Sequence, residues 1–199
     1  MKRLFLLSLL FANISVVFAQ EITIEADMTE TKFERTLKIF EGYTYYDFEF
    51  VTEEGVTLDI EIIEKEFVNG KLEKEKVYFD SKNMPTALKS NAVPVTILAK
   101  SISDDTYKML YRFYNAQTIS RLFDLNREDM YDFKIFVGMG GKYTFDKTYL
   151  FSAIVKPIKI SENTYRDCDF SLEMDKYDQW YEIFGIDRYF VYEIKFYKG

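Results

Sequence analysis

The chain has 199 residues, 48% hydrophobic and 30% charged, with 8 Gly and 3 Pro. That composition excludes a collagen-like, low-complexity or disordered chain and fits one domain, or two small ones. A formal net charge of −7 argues against a general nucleic-acid binder, because phosphate contacts need clustered Lys and Arg.

Residues 1–19 read as a secretory signal. Lys2 and Arg3 form a basic start, Leu4 to Phe11 an apolar run, and Val17 and Ala19 suit the −3 and −1 subsites of a signal peptidase. Cleavage before Gln20 is expected, with a bacterium as the host. Loss of Lys2 and Arg3 takes the net charge from −7 to about −9. No cysteine lies near the cleavage site, so a lipid-modified N-terminus is not expected. Cys168 is the single cysteine, which leaves no intrachain disulfide and puts stability on core packing.

The remainder, 20–199, reads as one β-rich domain. The fold class expected is all-β or β-dominated, an antiparallel β-sandwich with two or three short helices. Period-two alternation is clearest in 44–51, where Tyr46, Phe48 and Phe50 share a face, in 56–62 with Val56, Leu58, Ile60 and Ile62, and in 189–197 with Phe190, Tyr192, Ile194 and Phe196. Further strands are expected at 21–26, 34–40, 93–99, 106–114, 130–137, 143–150, 153–160 and 165–173. Asn69-Gly70 marks a hairpin turn. A two-residue loop would set Glu66 against Glu73, Lys65 against Lys74 and Glu64 against Glu75, all like charges. A three-residue loop, Asn69 to Lys71, instead pairs Glu66 with Lys74, Lys65 with Glu75, Glu64 with Lys76, Val68 with Leu72 and Ile63 with Val77, and is the register expected. The other odd register, with Val68 to Gly70 as the loop, keeps two of the charge pairs.

Helical stripes are read at 176–184, where Tyr177, Trp180, Tyr181 and Phe184 share a face between Asp175 and Gly185, and at 116–123, with Ile119, Leu122 and Phe123 behind Asn115. A third turn is expected after Pro85. These helices are expected to cover an open end or edge of a sheet. Tyr46-Asp47-Phe48 and Tyr131-Asp132-Phe133 echo one another; a duplication would divide the chain into units of about 20–114 and 115–199. Gly138-Met139-Gly140-Gly141 reads as a tight turn, since no helix follows to make it a phosphate cradle.

The chain has no histidine, which removes Ser-His-Asp and Cys-His mechanisms, His-containing zinc sites and the usual general base near neutral pH. Carboxylates remain, and a glycosidase can run on two of them. The densest acidic stretch holds Asp167, Asp169, Glu173, Asp175 and Asp178. On a strand over 165–173, Asp167, Asp169 and Glu173 would share one face and offer oxygen ligands, although the twelve-residue Ca²⁺-loop pattern is missing. Tyr165, Tyr177 and Trp180 lie beside them, and aromatic faces flanked by carboxylates can stack on sugars; an aromatic stripe at helical spacing also suits a core. The candidate ligand-binding set is therefore Tyr165, Asp167, Asp169, Glu173, Tyr177 and Trp180, with no catalytic residue, metal ligand or cofactor assigned. A membrane β-barrel fits the length, but Asp59, Glu61, Lys65 and Lys74 spoil an apolar outer face.

The expectation is an exported envelope protein without catalytic activity. Its partner would be a protein or a glycan, met by an aromatic and acidic face, with no nucleic acid and no membrane span after signal cleavage. Two alternatives stand beside it: a carboxylate-dependent glycan hydrolase, and a structural component of an envelope assembly held by a sheet edge.

Overall fold

Alternating side chains send every second residue to one side of an extended strand. The computed structural model describes residues 21–26, 31–85, 89–103, 106–114, 117–125, 131–138, 141–161, 164–166 and 169–199. In chain order these form β1 (Glu21–Glu25), α1 (Lys32–Glu41), β2 (Thr44–Val51), β3 (Leu58–Val68), β4 (Lys71–Asp80), a 3-10 turn (Ser81–Asn83), β5 (Ala92–Ser103), β6 (Thr106–Phe113), β7 (Gln117–Asp124), β8 (Asp132–Ile135), β9 (Tyr143–Thr144), β10 (Thr148–Val155), β11 (Ile158–Ser161), β12 (Thr164–Arg166), α2 (Asp169–Leu172), a 3-10 segment (Met174–Gln179), α3 (Trp180–Phe184) and β13 (Arg188–Lys198).

The strands make an antiparallel β-sandwich. One sheet has the order β7-β6-β5-β2-β1-β9 and the other β4-β3-β13-β10-β8, with β11-β12 as a small separate ribbon. Val93, Val95, Ile97 and Ala99 of β5 and Tyr107, Met109, Tyr111 and Phe113 of β6 meet Leu58, Ile60 and Ile62 of β3 and Phe190, Tyr192, Ile194 and Phe196 of β13 in one core. Rings cross the gap, with Phe79 stacked on Phe113 at 4.1 Å and Phe50 edge-on to Phe196 at 5.0 Å. Each such side chain taken from water stabilises the fold by about 1.5–3 kcal/mol.

β13 buries both faces. Its Tyr189 and Val191 point away from the first core into a second, built with Phe67, Ala153, Val155, Phe170, Trp180 and Ile186. Residues from α2 to α3 thus form a helical cap over the outer face of the five-stranded sheet, not over an open end or an edge as expected. Gly185 ends α3 in the left-handed conformation, φ 71°, and its N–H donates to Tyr181 O at 2.9 Å.

Several elements differ from the sequence reading. The strand expected at 34–40 is α1. Phe33, Leu37 and Phe40 fall on one helical face, Arg35 N–H donates to Thr31 O at 3.1 Å, and Gly42, φ 64°, closes the helix onto Lys38 O. The helix expected at 116–123 is β7, paired with β6 from Gln117↔Phe113 to Asp124↔Thr106 without a shift. Ile119 and Phe123 are four apart, a spacing that suits a strand face as well as a helix face. The strand expected over 165–173 stops at Arg166, and the chain turns helical at Asp169. The stripe at 176–184 begins as a 3-10 segment, with no side-chain cap at its start. The strands expected over 143–150 and 153–160 are redistributed among β9, β10 and β11. Gly141 N–H donates to Gly138 O at 3.0 Å, the bond of a tight turn. The signal segment, the turn after Pro85, Asp167 and Cys168 lie outside the described residues.

The β3–β4 hairpin corrects one expectation and keeps another. Glu64↔Lys76, Lys65↔Glu75, Glu66↔Lys74 and Ile63↔Val77 all pair as expected, but Val68 faces Lys71 and Phe67 faces Leu72. The loop therefore has two residues, Asn69 and Gly70, with φ 50° and 76°. Two left-handed residues match the strand twist better than a longer loop. A bulge absorbs the odd residue, with Glu73 extra between Leu72 and Lys74, and turns like-charge neighbours into opposite-charge pairs. A second bulge at Tyr78 separates Ile63↔Val77 from Ile62↔Phe79.

Candidate functional site

The inward face of β3 runs Leu58, Ile60, Ile62 and then, by the same period, Glu64 and Glu66. Both carboxylates are buried and both meet cations. Glu64 contacts Arg121, which crosses from β7 in the other sheet, and accepts from Tyr192 Oη at 2.8 Å; Lys76 Nζ lies 3.8 Å away. Glu66 Oε1 accepts from Arg188 Nε at 3.0 Å and Nη2 at 2.9 Å, while Lys74 Nζ lies 3.3 Å from Oε2. Arg188 Nη1 also donates to Asp124 O at 3.0 Å. The guanidiniums lie over aromatic faces, Arg121 at 4.7 Å from Phe123 and Arg188 at 5.0 Å from Phe190. Burial pulls the Arg121 guanidinium down from its ordinary range. This cluster is neutralised from within, and its chemistry is that of a buried structural network.

The sequence-expected set is described in part, since Asp167 and the Tyr165 side chain lie outside the described residues. Tyr165 is in β12, and Asp169 opens α2 in an ion pair with Arg166. Glu173 pairs with Lys176 at 2.8 Å. Tyr177 is half-buried. Its hydroxyl donates to Glu193, Lys65 Nζ donates to it at 3.4 Å, and burial, then Glu193, pushes its pKa up to about 12. Trp180 is 0% exposed, packed against Phe170 at 4.9 Å and Tyr189 at 5.6 Å, and its Nε1 donates to Glu173 O at 3.0 Å. The core side of the aromatic stripe has won over the sugar-stacking side, because Trp180 fills the second core. Asp169 and Glu173 do not share a strand face, because the backbone turns helical at Asp169. Among the described residues, no three His, Cys, Asp or Glu side chains form a group able to hold a metal ion.

What the helical cap does expose is a different mixture. Leu172 is 81% exposed, and Met174, Tyr181 and Ile183 are also open to solvent. Asp175, Asp178 and Glu182 are exposed among them. Of these exposed apolar side chains only Tyr181 is aromatic, where an aromatic and acidic face was expected.

A second surface was missed altogether. Phe33, Ile39 and Phe40 of α1 are 74%, 79% and 84% exposed. The side of α1 turned to the protein is polar. Lys38 Nζ sits 4.6 Å over the Tyr45 ring, and Glu41 pairs with Lys100 of β5 at 3.5 Å. The helix is amphipathic and inside out. Among the described residues no helix is long and apolar enough to cross a membrane.

Sheet edges complete the exposed features. β4 is an edge carrying Lys71, Lys74 and Lys76 and two bulges, which discourage pairing. β8 and β9 are short. β7 is the long, regular edge, paired with β6 alone among the described residues. Comparison with protein-family models, with curated proteins and with solved structures finds no match for the chain.

Proposed function

We propose that the chain is an exported bacterial envelope protein that binds a protein partner and carries no catalysis of its own. The observation that carries this reading is α1, which turns its polar side to the fold and holds Phe33, Ile39 and Phe40 in solvent. Leaving them exposed forgoes about 1.5–3 kcal/mol of burial for each side chain, which a partner can recover. The acidic and apolar cap adds a second surface of the same kind. A protein is favoured over a glycan because Trp180 is buried and the Tyr177 hydroxyl is already bonded to Glu193 and Lys65. Binding is favoured over glycan hydrolysis because the buried carboxylates Glu64 and Glu66 are each held by an arginine, whereas a general acid needs a carboxyl kept protonated. The β7 edge supports the assembly alternative, in which a strand from a neighbour extends the six-stranded sheet.

A photo-crosslinking residue placed at Phe40 in the cell of origin tests this. The expected result is a discrete adduct that is lost on Phe33→Ser and not formed from a control at Glu54, with the exported chain beginning at Gln20 by mass. A sugar panel that raises the unfolding midpoint by several degrees, with no adduct at position 40, would overturn the protein reading.

A further inference from the structure

We infer that β7 pairs with β7 of a second copy, antiparallel across a two-fold axis, and joins two six-stranded sheets into one. The inference goes beyond the α1 reading. It uses a different surface, so each stands or falls without the other. β7 has eight residues, pairs with β6 without a shift, and carries neither proline nor lysine. Among the described residues β6 is its one strand partner. Such an edge presents a straight row of backbone N–H and C=O groups that another strand can bond.

The occupant follows from the other edges. β4 is bulged and lysine-rich, and β8 and β9 have four residues and two. The ribbon strands β11 and β12 have four and three. Among the described edge strands, only β7 matches β7 in length and regularity. A strand paired with its own copy uses the same patch on both molecules, so the contact closes as a dimer.

The side chains set the register. Thr118, Ser120, Leu122 and Asp124 are exposed on the outer face, while Phe123 is buried and Ile119 packs against the core. Inner face meets inner face only if the axis passes through a residue. Through Ser120, it sets Ser120 against Ser120, Thr118 against Leu122 and Ile119 against Arg121, with no like charges opposed. Through Arg121, the overlap is as long, but two arginines face one another. Arg121 already contacts Glu64, so pairing about Ser120 buries no unpaired charge. Leu122, 59% exposed, gains cover from the facing Thr118.

Cysteine pairing in the full chain, with Cys168→Ser as background, tests the inference. Ser120→Cys is expected to give a disulfide-linked dimer under mild oxidation, because opposed Cα atoms lie about 4.5–5.5 Å apart. Thr118→Cys is expected to stay unlinked, since its two copies lie about 14 Å apart along the seam, beyond disulfide reach. An equimolar mixture of Thr118→Cys and Leu122→Cys is expected to link. All three positions are exposed, so the variants leave the packing intact. Sedimentation velocity of the wild type, up to about 1 mM, is expected to show monomer and dimer and nothing larger. About 0.5 M salt is expected to strengthen the dimer by screening repulsion between two chains of net charge −7. Ser120→Lys is expected to weaken it several-fold, and Phe33→Ser/Phe40→Ser to leave it unchanged. A wild type monomeric throughout overturns the inference and leaves the β7 edge to a strand of another protein. Self-linkage of Thr118→Cys, or a dimer lost in Phe33→Ser/Phe40→Ser, overturns it as well. The crosslink at Phe40 reads the α1 proposal separately.

Discussion

Glu64 and Glu66 occupy positions where the period of β3 calls for aliphatic side chains. The first half of that face, Leu58, Ile60 and Ile62, was legible from alternation; the continuation was hidden because charged residues in a hairpin read as solvent-facing pairs. A buried carboxylate is tolerated only with cations and donors at hand, and Arg121, Arg188 and Tyr192 come from two other strands. No local pattern announces such a convergence. Arg121→Leu leaves Glu64 buried with Tyr192 and a Lys76 ammonium 3.8 Å away, and is expected to cost about 3 kcal/mol in urea unfolding at neutral pH. The double variant Glu64→Leu/Arg121→Leu is expected to regain most of that. Equal losses in the two would show that the pair does not act as a unit. Trp180 illustrates the opposite case, in which an aromatic stripe at helical spacing already suited a core and the ring fills the second one.

Elements were read well where one period was unambiguous and poorly where two fitted. β2 and β13 have clean aromatic alternation and lie where expected. Ile119 and Phe123 satisfy both periods, and pairing with β6 decides for a strand. Phe33, Leu37 and Phe40 carried a helical signal, but a strand reading begun at 34 divided it. The β3–β4 hairpin shows register and loop length being set separately. Charges and the Ile63–Val77 contact select the pairing, Asn69-Gly70 selects the turn, and a bulge at Glu73 reconciles them. Gly70 is the position that cannot vary. Its φ is 76°, and an added Cβ would lie 2.9 Å from Glu182 Oε1 and 3.0 Å from Tyr181 Cδ1. Gly70→Ala is expected to destabilise by about 1–2 kcal/mol in urea unfolding, whereas Asn69→Gly is expected to change stability by less than about 0.5 kcal/mol. A neutral Gly70→Ala would contradict the left-handed turn.

Across the whole molecule, the 16 Tyr and 19 Phe explain how a chain with one cysteine can hold together. Their rings fill both cores, and three of the hydroxyls that go inside are bonded, Tyr111 to Ser152 at 2.6 Å, Tyr114 to Leu58 O at 3.2 Å and Tyr192 to Glu64. The β-sandwich was legible in the sequence because alternation is a local property. The exposed apolar surfaces were not, because exposure depends on what the tertiary fold leaves uncovered. The central claim is that the apolar face of α1 contributes nothing to the fold and is reserved for a partner. Urea unfolding of Phe33→Ser/Phe40→Ser tests it most directly. The expected result is a stability within about 0.5 kcal/mol of the wild type, as for exposed positions. A loss of about 3 kcal/mol or more, the cost of removing buried phenylalanine, would place those rings inside the protein and contradict the account.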